Sequence, residues 1–402
     1  MKNSWSKPPS PHDREEALNA HRNHKMARSV RAFVRGSTDK FYGWLEEMEN
    51  EAIPQGPAIW IGGDCHMGNL GPIGNALGKI DVQIRDLDHS VIGNPAHDLI
   101  RLGLSLATAA RDSVLSGVIT VQMIEQLIEG YQSCFGKKKD DVEELPSPDT
   151  VKVSIKEAAK RSWKDLAKER IEDTTPHIPL GKTFWPISRE ERRAIEQVFE
   201  IKNLFCHIAS AATRNENSTV RILDAAYWIK GCSSLGKARY AVLLDIKASK
   251  KYRCLIDIKE AADPAAPKQP AARIPAVNGE RVVEGARHLS PYLGDRMVAT
   301  HILGRSVFLR ELLPQDMKVE IDKLTQDEAR KVARYLGMVV GNAHARQMDL
   351  AVQKQWISAL QRNRSKNLRA PCWLWSSIVK LLANHERSYL EHCRKYAMDS
   401  VA

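Results

Sequence analysis

Asp64 and Asn69 stand at D-x-x-x-x-N spacing in Gly62-Gly63-Asp64-Cys65-His66-Met67-Gly68-Asn69, and Asp86 follows in Ile84-Arg85-Asp86-Leu87-Asp88. Two carboxylates and an amide on short, glycine-punctuated segments beside apolar runs are the groups a magnesium-dependent phosphoryl transfer needs. In such a centre the first Asp accepts or orients the proton of the attacking hydroxyl. The Asn and the second Asp hold metal against phosphate oxygens. Asp88 offers a second metal ligand or a hydrogen bond within its loop. His66 offers proton chemistry, although a histidine in a tight loop more often serves as a structural hydrogen-bonding group. The plain alternative for the whole set is a polar turn followed by an acidic one, since Asp and Asn are common loop residues.

These groups need elements that bring them together. Ala58-Ile59-Trp60-Ile61 is a short apolar run ending at Gly62, and Lys79 to Ile84 alternates as a strand does, so both acidic segments sit just beyond strand ends. Gly74, Asn75 and Gly78 supply turn chemistry for a hairpin between them. From Pro95 the pattern is helical, with Leu99, Leu102, Leu104 and Leu106 on one face and Val121 to Ile128 forming another. Residues 136–150 read as an exposed linker, and 151–173 and 188–204 as charged amphipathic helices. Arg239 to Ile246, Arg253 to Lys259 and Ser306 to Leu312 read as strands, the first two joined by the basic tip Lys247 to Lys251. A Pro/Ala-rich loop covers 262–277, a helix 280–290, and helices return after Pro314, notably Asp327 to Asp349 and the Trp-rich stretch 373–391. Residues 1–25, polar and with prolines at 8, 9 and 11, read as a mobile arm that becomes helical near Arg14. Lys137 to Lys139 and Arg362 to Arg369 read as solvated charge runs.

Composition bounds the partners. The 402 residues carry a net charge of +11 and are 43% hydrophobic, enough for sizeable cores and a preference for anions: nucleotides, phosphorylated metabolites, nucleic acid or anionic lipid. Seven scattered cysteines with no CxxC pair argue against a disulfide scaffold and a structural zinc site. The first residues have no apolar signal core, and no run of about eighteen apolar residues occurs, so the expectation is a soluble cytoplasmic protein without a membrane span.

The flanks make the acidic pattern specific. Gly63-Asp64-Cys65-His66-Met67-Gly68-Asn69, then Asp86-Leu87-Asp88, then Gly93-Asn94-Pro95-Ala96-His97-Asp98-Leu99 resemble the catalytic loop, metal loop and following helix start of the aminoglycoside and choline phosphotransferases. Those are a branch of the protein-kinase-like superfamily. Where many of them have His before the Gly-Asp pair, this chain has Gly62. Phe33-Val34-Arg35-Gly36, Gly231-Cys232-Ser233-Ser234-Leu235-Gly236, Leu255 to Ala261 and Ala343-His344-Ala345-Arg346 resemble hallmarks of the bacterial domain-of-unknown-function 2252 family. The resemblance implies that Asp98 starts a helix and braces the catalytic loop.

A small-residue loop entering a strand pair, with a Lys on the next strand, is the arrangement that covers nucleotide phosphates. Gly231, Ser233, Ser234 and Gly236 then form the lid and Lys259 the phosphate contact. Ser233 stands where a middle glycine would let the backbone approach most closely. Glu284, on the helix after the loop, is the expected ion-pair partner of Lys259, with Glu280 as an alternative.

Because the catalytic and metal loops precede the glycine-containing loop, the expected architecture is an α+β, two-lobed protein-kinase-like fold, circularly permuted. Its parts are residues 26–219 (helical lobe with both loops), 220–315 (smaller antiparallel-sheet lobe) and 316–402 (helical return). The expected function is an ATP- and Mg2+-dependent transfer of the γ-phosphoryl group to a hydroxyl on a small molecule or protein, with Asp64 as base or orienter and Asn69 and Asp86 on metal. Two other classes compete. One is a pseudokinase-like protein that binds nucleotide or another anion, favoured by Ser233. The other is a metallophosphoesterase opening at Asp64-x-His66 with Asp86 as bridging ligand, disfavoured because no Gly-Asn-His motif follows.

Overall fold

The protein is described by a computed structural model covering residues 8–48, 53–113, 115–136, 147–171, 177–201, 204, 208, 219–247, 251–317, 325–362 and 369–396. The charge runs at 137–139 and 363–368 and the hairpin tip at 248–250 lie outside the described residues.

The fold is α+β with antiparallel sheets. Helices α1 (Arg14–Ala27), α2 (Val30–Gly36) and α3 (Thr38–Glu47) lead into β1 (Ile59–Ile61). A 3-10 turn, Met67–Asn69, opens the hairpin β2 (Leu70–Gly74) and β3 (Ile80–Ile84), and β4 (Val91–Gly93) returns to pair with β1. Helices α4 (Ala96–Asp112), α5 (Gly117–Gln132), α6 (Asp149–Lys160) and α7 (Trp163–Ile171) follow. Then come β5 (Phe184–Trp185), α8 (Arg189–Glu200), β6 (Thr219–Trp228), β7 (Arg239–Lys247), β8 (Lys251–Glu260), α9 (Asn278–Leu289), α10 (Pro291–Gly294), β9 (Met297–Ile302) and β10 (Arg305–Leu312). Helices α11 (Gln326–Ala345), α12 (Leu350–Leu360) and α13 (Cys372–Tyr396) complete the chain.

Strand alternation explains the six-stranded sheet, ordered β5-β6-β7-β8-β10-β9. One face carries Tyr240, Val242, Leu244, Ile256 and Ile258, packed on Leu18 of α1 and Ile195 and Val198 of α8. The opposite face carries Ala241, Leu243, Leu255 and Leu312, packed on Leu166, Ala167 and Ile171 of α7. A separate core unites α4, α5, α11 and α13 with the small hairpins and the apolar face of α9.

Three expectations change. Residues 14–25 belong to the packed fold and are not an arm: Arg14 is buried, its Nη1 2.6 Å from Glu191 of α8, and Leu18 is buried on the sheet. Residues 163–200 were expected in the helical lobe, yet β5 pairs with β6, and α7 and α8 cover the sheet's two faces. The strands β6 and β9 were not expected, because a bulge between Ile222 and Asp224 interrupts the alternation of β6, and β9 is a half-buried edge.

Candidate active site

The Gly62–Asn69 segment is held from three sides. The N–H groups of Gly62 and Gly63 donate to the Asp98 carboxylate at 2.7 and 3.0 Å, so Asp98 on the first turn of α4 braces the loop. Tyr42 donates to the Gly63 carbonyl at 2.7 Å. Gly63 has φ of +71°, and a Cβ there would lie 2.1 Å from the His89 carbonyl oxygen, so this turn admits only glycine. A histidine does reach Asp98, but it is His344 near the end of α11, with Nε2 3.2 Å away. Its Nδ1 lies 2.9 Å from the Tyr131 hydroxyl, which accepts from Trp356 Nε1. A proton on Nε2 satisfies that whole buried chain, with Tyr131 donating to Nδ1.

Asp64 projects into the interior against Arg101, whose Nε donates to Oδ1 at 2.8 Å. Burial alone would raise the Asp64 pKa, but Arg101, aided by His66 and His89, holds it below the usual value. The Asp64 carbonyl accepts from Asn69 Nδ2 at 3.0 Å, which ties the two ends of the D-x-x-x-x-N segment together and leaves the Asn69 amide oxygen as a ligand group. His66 Nδ1 accepts from the Gly68 N–H at 3.1 Å, while Nε2 lies 3.7 Å from Asp64. Burial pushes its pKa down to about 4, so the ring is neutral at neutral pH and caps the turn.

Lys259 is buried and bridges Asp86, at 3.2 Å, and Asp88. Burial would raise the Asp86 pKa, but Lys259 and Arg310 hold it well below the ordinary value. Burial and the neighbouring Asp86 push Asp88 the other way, and Asp88 Oδ1 is buried without a partner among the described residues. Lys259 is thus the counter-ion of the acidic pair and stands behind Asp86, away from the cavity wall. Glu284 is not its partner: it faces outward and bonds Arg287 and His288, one turn along its own helix. Glu280 is exposed as well. The buried charged residue of α9 is Arg281, which donates to the carbonyls of Asp88, Ser90 and Ala262.

A cavity of about 200 Å3 joins the two halves of the chain: Asp64, His66, Asn69 and Asp86 on one side, Gly231, Ser233 and Ser234 on the other. Gly236 lies outside it, against Asn19 of α1. Cations dominate the remaining wall. Lys25 and Arg35 come from α1 and α2, Arg85 from the end of β3 and Arg170 from α7. Lys230 follows β6, and Arg239 and Arg310 rise from β7 and β10. Seven cations therefore face two carboxylates. Asp257, one residue pair below Lys259 on the same strand face, pairs with Arg239 and Arg310 and offsets part of that excess. Lys25, Arg35, Arg85 and Lys230 pair with no carboxylate among the described residues. Burial, then the neighbouring Arg239 and Arg170, pushes the Lys230 pKa well below its ordinary value.

No group of three or more His, Cys, Asp or Glu that could hold a metal occurs among the described residues. Asn69 and Asp86 nevertheless fit magnesium in its usual manner, one or two protein ligands with phosphate oxygens and water supplying the rest. The Asp86 side chain keeps 39% of its surface exposed, which leaves it open to a cation. Asp88 is not part of the cavity wall and does not join them.

Two signals for the missed residues were in the sequence. Arg101 is a lone charge inside Leu99-Ile100-Arg101-Leu102, and a charge on a buried helix requires a partner. Asp257 and Lys259 stand two apart in an apolar strand, hence on one face, where Arg239 and Arg310 are their cross-strand neighbours. Among the described residues no helix is long and apolar enough to cross a membrane. No curated protein and no solved structure matches this chain. A family model described as an uncharacterized protein conserved in bacteria, DUF2252, matches residues 14–395, and the chain belongs to that family.

Proposed function

We propose that this protein is a magnesium- and ATP-dependent phosphotransferase of circularly permuted, kinase-like architecture, passing the γ-phosphoryl group to a hydroxyl acceptor. The observation that carries this reading is the single cavity shared by Asp64, Asn69 and Asp86 with the Gly231–Ser234 loop, under a surplus of cations. Asp64, kept ionised by Arg101, holds the acceptor hydroxyl and takes its proton as the new bond forms; a carboxylate with a lowered pKa orients better than it abstracts. Asn69 and Asp86 would hold magnesium, which supplies neutralisation of the phosphate oxygens. Arg239, Arg310 and Lys230 face the phosphates, and Lys259 keeps Asp86 ionised.

Calorimetry of Mg2+ with ATP on wild type and Asp86→Ala tests the binding half. The expected result is loss of magnesium-dependent binding in the variant, and absence of binding to wild type would sink the reading. Labelled ATP with metabolite and protein acceptors tests transfer. A binding protein without transfer is the second reading, favoured by the buried Arg101 salt bridge that restrains Asp64. ATP binding with no labelled product from any acceptor would establish it.

A further inference from the structure

The phosphotransferase reading leaves open which part of the donor the protein recognises, and the inference that follows rests on that reading. The cavity holds about 200 Å3, below the ~300–1,000 Å3 of clefts that enclose drug-sized ligands. Among the described residues no Leu, Ile, Val, Met, Phe, Tyr or Trp side chain is part of its wall, so those residues offer a flat base no apolar surface inside it.

An apolar strip does exist further along the same sheet face: Ala226, Ala241, Leu243, Leu255 and Leu312. It is already covered by Leu166, Ala167 and Ile171 of α7. The space beside that contact, bounded by Leu166, Leu312 and Leu313 and by the cavity's Arg85, Arg170, Lys230 and Arg310, measures about 30 Å3, room for about one or two water molecules. The same helix turns Arg170 into the cavity, so α7 both covers that strip and adds a cation to the cavity wall. Arg170 and Arg310 both line the cavity, and the Nε atom of each is buried and bonds nothing among the described residues.

We infer that the protein recognises its phosphoryl donor through the phosphate chain alone, with any nucleoside left outside the cavity mouth. An inorganic polyphosphate is then as good a donor as a nucleoside triphosphate. In the transfer, the acceptor oxygen bonds to the terminal phosphorus as the bridging P–O bond breaks. The acceptor's proton passes to Asp64, and the chain leaves one phosphoryl group shorter with the electron pair of that bond.

The test is calorimetry on the full chain with Mg2+ and, separately, inorganic tripolyphosphate, ATP, GTP and adenosine, followed by incubation of each labelled phosphate chain with acceptors. Tripolyphosphate, ATP and GTP are expected to bind within about threefold of one another, and adenosine to give no heat. Lys230→Gln is expected to weaken all three chains by a common factor while its melting curve stays that of a folded protein. ATP binding more than about tenfold tighter than tripolyphosphate and GTP would overturn base-blind recognition and leave the phosphotransferase reading standing. Equal binding with no transfer from any chain would remove the phosphotransferase reading and keep the recognition. Failure of every chain to bind would overturn both.

Discussion

Lys230 is the cavity cation most at odds with its surroundings. Its Nζ lies 3.9 Å over the Trp228 ring, and burial with Arg239 and Arg170 lowers its pKa well below the ordinary value. An anion between these groups reverses the penalty, so the pKa rises on binding and a proton is taken up. Affinity for a phosphate chain should therefore fall as pH rises through the interval between the two values. Titrations over a range of pH in two buffers of different ionisation enthalpy should show that uptake in wild type and its loss in Lys230→Ala; identical apparent enthalpies in both buffers at every pH would contradict it. Lys259 makes a complementary case. Because it neutralises the Asp86–Asp88 pair, Lys259→Met leaves two adjacent, partly buried carboxylates without their counter-ion, at an expected stability loss of roughly 1–3 kcal/mol at neutral pH. Adding Asp88→Asn should recover part of that loss in denaturant melts, and an additive double variant would refute the pairing. From sequence, Lys259 was visible as an important cation. Its partners Asp86 and Asp88 were not, because that pairing joins segments far apart in sequence and no local pattern fixes it.

At the scale of elements, the brace behind the Gly62–Asn69 loop depends on how closely α5 and α11 approach. A Cβ at Gly337 would lie 2.2 Å from the Leu127 carbonyl oxygen, so these helices touch backbone to backbone where that glycine sits. Gly337→Ala must push α11 away from α5, and α11 carries His344, which holds Asp98 and through it Gly62 and Gly63. The expected outcome is a destabilisation of roughly 1–3 kcal/mol together with weaker magnesium-dependent ATP binding. A variant that loses stability with unchanged affinity would separate the helix contact from the loop. The strands β3, β7, β8 and β10 and the helices after Pro95 were legible because apolar periodicity is a local property. The same periodicity could not reveal α1 on the sheet, β5 beside β6 or α7 on the cleft face. Those placements are pairings of distant segments, and Leu166, Ala167 and Ile171 look alike whether they meet a helix or a sheet. The acidic loops were legible for a different reason: turn geometry and ligand type constrain Gly63, Asp64, Asn69 and Asp86 at fixed local spacing.

The molecule packs its cores around a charged cavity and, in doing so, buries or half-buries histidines as neutral rings. His66, His97 and His385 each have their pKa pushed down to about 4, burial being the main cause in all three. His385 is the clearest: it is fully buried on α13, edge-on to Phe33 of α2 and Trp44 of α3, with neither ring nitrogen bonded among the described residues. The charges facing it are Arg101 and Lys40, both of which disfavour a second positive charge. Unfolded, these rings have the ordinary value of 6.5 and bind protons that the folded state refuses. Their contribution is fully present above about pH 6.5 and is lost as pH falls toward about 4, at up to ~3 kcal/mol for each ring. Thermal melts from neutral to mildly acidic pH should therefore show a drop in stability that begins well above the range in which carboxylates titrate. His385→Phe keeps the ring packing and removes one titrating group, so its stability should decline less steeply over the same interval. A wild-type profile that is flat between pH 6.5 and 4.5, or a His385→Phe profile parallel to it, would show that these rings find proton acceptors in the folded protein.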